Sequence, residues 1–223
     1  MVQVFSRVRG ALLAGACAVV LSGCAGNVAP EVKRLPERVE LSGTFYRGEA
    51  NQSGPQVLAS LLSQQGIVIT PGLLEKPLHL PGAEDKLQQN MQNLAREYGL
   101  VVYPLDSKLP ALLTQVAAGY PVMVRFSEGS AFWAEPRYAI LSGYDRNKQK
   151  VLLRAGMNRR QLMDFGSFQA ALDEAGGWAI LIQKPSQIPA SVDRSRWLKA
   201  ADELAQAGEE NAAAQARKAL AAQ

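Results

Sequence analysis

The chain of 223 residues holds a single histidine, His79, and two cysteines, Cys17 and Cys24. A hydroxyl is therefore the group to test for nucleophilic work, and one serine stands in a suggestive place. In NQSGPQVLASLL, residues 51–62, Ser53 precedes Gly-Pro and an apolar run with Val57, Leu58, Leu61 and Leu62 at helical spacing. Its hydroxyl would sit at a helix N-terminus. A serine attacks only when a neighbouring base, neutral at working pH, takes its proton. The same residues also have a purely structural reading. Ser53 and Gln56 form an S-x-x-Q capping box, with Pro55 in the first turn where its missing N–H costs little. Such a cap contributes about 1 kcal/mol. His79, between Leu78 and Leu80 in a segment punctuated by Pro71, Pro77 and Pro81, reads as structural.

The elements that would position Ser53 follow from periodicity. Residues 55–65 are a helix, and residues 67–82 are looped. Over residues 84–98, Leu87, Met91, Leu94 and Tyr98 recur at helical intervals up to Gly99, a C-terminal cap. LVVYPL is a short strand and LPALLTQVAAG a helix. PVMVRF, RYAILSGYD, KVLLRA and WAILIQ are β-branched-rich strands, the second and third joined by the turn DRNKQ, with SFQAALDEAGG a helix before the fourth. Helices first and mostly antiparallel strands second predict an α+β domain. The tail from residue 193 is alanine-rich and broken once at AGEEN. It resembles one helical hairpin of a tetratricopeptide-type repeat, with Trp197, Leu204, Gly208 and Ala213 near the expected places and the glycine-to-AL spacing one residue short. One such unit cannot bury its own face, so the hairpin should dock on the domain.

At the N-terminus, Arg7 and Arg9 precede ALLAGACAVVL, which ends in LSGC at residues 21–24. This resembles a bacterial lipoprotein signal, in which the chain is cut before the cysteine and Cys24 carries diacylglyceryl and palmitate-type acyl groups. The run is much shorter than the roughly 20 apolar residues a membrane span needs. Ala25 follows the cysteine where inner-membrane retention would show Asp, so the resemblance implies the periplasmic face of an outer membrane. Several acyl chains at roughly 0.8 kcal/mol per buried CH₂ make such an anchor long-lived. Residues 1–23 are then the signal peptide and 24–43 a Pro- and charge-bearing membrane tether. Residues 44–190 form the domain and 191–223 the helical hairpin.

Loss of both signal arginines leaves 22 basic residues against 20 acidic ones, near +2, an ordinary balance that points to no nucleic acid. With Cys17 removed and Cys24 lipidated, no free thiol or disulfide remains. Cys/His metal sites and Cys/His dyads are excluded by inventory, and no metal or cofactor is implied.

Three stretches carry a wider resemblance: FYRGEANQSGP, LPG followed five residues on by LQ, and RYAILSGYD. From residue 45 to 183 the chain resembles the bacteriocin-processing, double-glycine type of papain-like cysteine peptidase. It is similar in particular to lipoprotein-borne members with a helical-repeat tail. The resemblance implies a papain-like α+β fold with N-terminal helices and an antiparallel sheet. It also implies three catalytic positions, and each holds the wrong group here. The nucleophilic cysteine is Ser53, the oxyanion glutamine is Gly48 or Arg47, and the histidine is Arg137, followed by Tyr138. The orienting Asp or Asn falls near Arg154 or Ala155.

A guanidinium with a pKa above roughly 12 offers only donors and cannot serve as base. The missing amide removes an oxyanion donor worth about 2.7–4 kcal/mol elsewhere. No lysine lies in either matching stretch to make a Ser-Lys dyad, and Glu49 and Glu135 are better placed to pair with arginine. The expectation is a non-enzymatic pseudopeptidase lipoprotein that binds a periplasmic protein or peptide. Ser53, Arg137, Tyr138 and Trp133 would form the contact, a helix N-terminus beside a guanidinium being suited to a carboxylate. The alternatives are a hydrolase using Ser53 with an unidentified base, and an adaptor acting through the Trp197 hairpin. Arg154, Arg159 and Arg160, with Arg146 and Lys148, read as a solvated basic face.

Overall fold

The computed structural model of the protein describes residues 29–49, 52–129 and 134–223. Its frame is an antiparallel sheet of seven strands: β1 (Arg38–Glu40), β2 (Val101–Pro104), β3 (Val122–Glu128), β4 (Glu135–Asp145), β5 (Lys150–Ala155), β6 (Asn158–Asp164) and β7 (Ala179–Gln183). Their spatial order is β2-β7-β3-β4-β5-β6, with β1 added along the end of β4. Successive side chains of a strand point to opposite faces. Val122, Val124 and Phe126 of β3 therefore enter one core while Met123 enters another, and in β4 Ala139 and Leu141 part in the same way from Tyr138 and Ile140. Both faces are covered, which is why these strands read as nearly unbroken apolar runs.

The face carrying Met123 and Tyr138 is covered by α2 (Ser53–Gln64), α3 (Pro71–Glu75) and α4 (Leu87–Glu97), the last entered through a 3₁₀ turn at Glu84–Lys86. The opposite face is covered by α1 (Pro30–Lys33), α5 (Leu109–Ala117), α6 (Phe165–Glu174), α7 (Arg194–Gln206) and α8 (Glu210–Ala221). The central helix is α2, buried at every residue from Ser53 to Leu62. It crosses α4 so closely that a Cβ on Gly54 would lie 2.9 Å from Leu87 Cδ2 and 3.3 Å from Met91 Sδ. A larger residue beside Ser53 would therefore push the Leu87 and Met91 side chains aside.

The α7–α8 hairpin is docked, and a fully buried tryptophan fastens it. The Trp197 indole N–H donates to Ala216 O over 2.8 Å, closing α7 on α8, while its ring lies 5.9 Å from that of Tyr103 in β2. Arg96 of α4 and Glu203 of α7 add an ion pair at 2.5 Å on the other side.

The segment expected to be a tether contains two elements. Val32 of α1 is buried in the core beneath α5, and β1 pairs Arg38 with Asp145, Val39 with Tyr144 and Glu40 with Gly143. Gly143 makes this possible, since a Cβ there would stand 2.5 Å from Val39 O. Strand β6, from NRRQLMD, was not foreshadowed by any apolar alternation. It is an edge strand with mostly exposed side chains, held by its ladder to β5. His79 is exposed, with φ +61, where Leu78, His79 and Leu80 donate back to carbonyls of the α3 turn. It serves as a left-handed stop, a conformation that His tolerates better than most residues.

Candidate functional site

The helix carrying Ser53 begins one residue earlier than a capping box requires. Gln52 is the N-cap and makes no side-chain cap bond, so Ser53 is already the first helical residue. The expected S-x-x-Q box does not form. Instead the Ser53 hydroxyl oxygen accepts the backbone N–H of Tyr138 over 3.2 Å, and Ser53 is only 5% exposed. A strand amide at the start of β4 has displaced the helix's own amides as donor. This bond brings the two matching stretches together, so the helix start at Ser53 and the strand start at 137–138 do meet.

The side chains beside that contact diverge. Tyr138 turns toward α2 and meets Trp178 edge-on, ring centres 5.7 Å apart and planes at 83°. Burial pushes its phenol up to about 12, against a smaller opposing pull from Arg125. Arg137 lies opposite Phe126 in the ladder and shares the other face with Glu128. Its Nη1 pairs with Glu128 Oε2 at 3.2 Å, and Gln161 of β6 donates to the second Glu128 oxygen over 2.7 Å. The partner of Arg137 is thus Glu128 across the ladder, not the neighbouring Glu135. The Nε of Arg137 is buried without a partner among the described residues.

Gly48 donates its N–H to Gly156 O over 3.4 Å, which docks the 41–49 segment on the β5–β6 turn. Tyr46 fixes the same segment from the other side, its hydroxyl donating to Ile69 O over 2.9 Å. A Cβ on residue 48 would fall 1.8 Å from the Gln56 amide nitrogen. A side-chain amide therefore does stand beside this position, delivered by α2 rather than by the loop. Nothing in the local sequence singles out Gln56, Glu128 or Gln161 for these places. Arg154 lies opposite Ile140 in β5, is 5% exposed and donates from Nη2 to Leu41 O; Ala155 is buried in the core on the opposite face. Trp133 and Cys24 lie outside the described residues.

The Ser53 oxygen receives an amide proton, and Arg137 carries a cation held by a carboxylate. Among the described residues no imidazole, carboxylate or amine is hydrogen-bonded to Ser53 to take its proton. Among the described residues no group of three His, Cys, Asp or Glu side chains is placed to hold a metal ion, and no helix is long and apolar enough to cross a membrane.

No family model and no curated protein matches the sequence. The fold does match solved structures. A C39-like peptidase from Bacillus anthracis superimposes with a TM-score of 0.52 at 15% identity, over 67% of this chain and 98% of that one. A double glycine motif protease from an AMS/PCAT transporter, solved with a leader peptide, gives 0.49 at 14% identity, over 68% and 95%. The chain has the fold of the C39-like peptidases, a papain-like α+β arrangement of helices on an antiparallel sheet. At such identity the likeness is one of fold, and activity has to be argued from the site.

Proposed function

We propose that the protein is a catalytically inactive relative of these peptidases. In this reading Cys24 anchors it by lipid to the periplasmic face of an outer membrane, and it works by binding a protein or peptide. The observation that carries the reading is the Tyr138 N–H···Ser53 Oγ bond beside the Arg137–Glu128 pair. The nucleophile's place holds a hydroxyl acting as acceptor, and the base's place holds a neutralised cation. Ser53 is tied into the packing between α2 and β4, and Arg137, on the other face of the sheet, into its pair with Glu128, which gives each a structural reason to be there. Arg137, half-buried and still partly open to solvent, would meet a carboxylate on a partner by exchanging Glu128 for it.

A serine-directed fluorophosphonate probe tests the chemical half. The reading expects no labelling of Ser53 under conditions that label a trypsin control. Labelling that disappears in Ser53→Ala would instead establish the competing hydrolase. For the binding half, titration of the protein with a fluorescent acidic peptide should show saturable binding that Arg137→Ala weakens, and no difference between the two would overturn the binding reading. Mass spectrometry of the N-terminal peptide tests the anchor, which requires acyl groups on Cys24.

A further inference from the structure

A second cluster of cations sits where the end of β1 and the residues after it meet the end of β5 and the start of β6. Glu40, Leu41, Ser42, Leu152, Arg154, Arg159 and Arg160 bound a cavity of about 240 Å³ there. Glu40, its one carboxylate, is already saturated. Arg160 grips it with Nε at 2.7 Å and Nη2 at 3.0 Å, and Arg38 adds a contact at 3.2 Å. Those contacts, Arg160 foremost, hold the Glu40 carboxyl below its usual range.

Two guanidiniums remain, and neither Arg154 nor Arg159 pairs with a carboxylate among the described residues. Arg159 is exposed, and water suffices for it. Arg154 is different: it is buried, and its one hydrogen bond among the described residues goes to Leu41 O. Burial foremost, then the like charge of Arg159, makes its cation harder to keep. Two nearby cations, one desolvated, with Ser42 also lining the hollow, leave an excess of two positive charges around it.

The geometry points to an oxyanion site at this cavity, taking a phosphate group as dianion, with Arg159 and Arg154 as the recognising cations and Ser42 as a neutral donor. A carboxylate would cancel only one of the two free charges, whereas a phosphate monoester cancels both. The phosphate can come from the free ion or from a lipid headgroup. The site uses neither Ser53 nor Arg137, so it stands whether or not the binding reading above survives.

The test is thermal unfolding of the full chain in a non-ionic detergent, titrated with inorganic phosphate at ionic strength held constant with chloride. The midpoint should rise and saturate, and Arg159→Ala should weaken the half-saturating concentration roughly tenfold, the size expected for one charge-assisted contact. Ser42→Ala should weaken it less, and Arg194→Ala, an exposed residue at the start of α7, should leave it unchanged. A parallel titration uses dihexanoyl phosphatidic acid against dihexanoyl phosphatidylcholine below their micellar concentrations. Saturation with phosphate assigns the free ion, and saturation with phosphatidic acid alone assigns the headgroup. A rise that chloride reproduces, a response that Arg159→Ala leaves intact, or no response to either ligand overturns the proposal.

Discussion

The amide of Tyr138 and the hydroxyl of Ser53 have each other as partners in a place closed to water. Replacing Ser53 with alanine leaves a buried N–H unsatisfied, which should cost about 1–3 kcal/mol in chemical denaturation. Ser53→Cys should not restore turnover, because no base is supplied with the thiol. Gly48 and Gln56 form a second dependent pair. Gly48→Ala drives a methyl into the Gln56 amide, and the loss of stability should be relieved when Gln56→Ala is added, a coupling that a double-mutant cycle measures. Tyr138 sets an alkaline limit. Its folded-state phenol titrates near 12 against about 10 in the unfolded chain, so the contribution is present in full below pH 10 and is lost as pH rises from 10 to 12. The loss is on the order of 2–3 kcal/mol, and Tyr138→Phe should flatten that part of the pH-stability curve. The residue types in the three motif stretches made it legible that Arg137 stands where the resemblance has a histidine. The acceptor role of Ser53 was not, because its donor lies 85 residues away and local spacing pointed to a cap.

At the scale of elements, the hairpin α7–α8 rests on one side chain more than on any other. Trp197→Ala removes the bond to Ala216 O and the contact with Tyr103, and a fully buried Trp truncated to alanine costs about 3–5 kcal/mol. Hydrogen exchange should quicken across 194–221 while α2 and the central strands stay protected. Helices α4, α5 and α6 could be read from periodicity and glycine stops, since each buries one face, and strands β2, β3, β4, β5 and β7 from their short apolar runs, since both of their faces are covered. Strand β6 escaped because its apolar residues, Leu162 and Met163, are adjacent rather than alternating, and as an edge it owes its place to backbone pairing. Strand β1 escaped because three residues, two of them charged, carry no period at all; its existence is owed to Gly143 on the partner strand.

For the whole molecule, the fold joins a peptidase-like frame to a docked helical pair, and the proposed anchor adds a third party, the membrane. Cys24→Ser should move the protein from the membrane fraction to the soluble periplasm without changing its unfolding midpoint, as fractionation and calorimetry would record. The packing of Val32 beneath α5 has a further consequence for that arrangement. With Cys24 as the lipid attachment, the leash ends where α1 begins at Pro30, six residue steps away in the sequence. Six steps reach at most about 22 Å. The body must then ride within its own diameter of the bilayer, able to swivel but not to wander, and it can meet only partners that come down to the lipid surface.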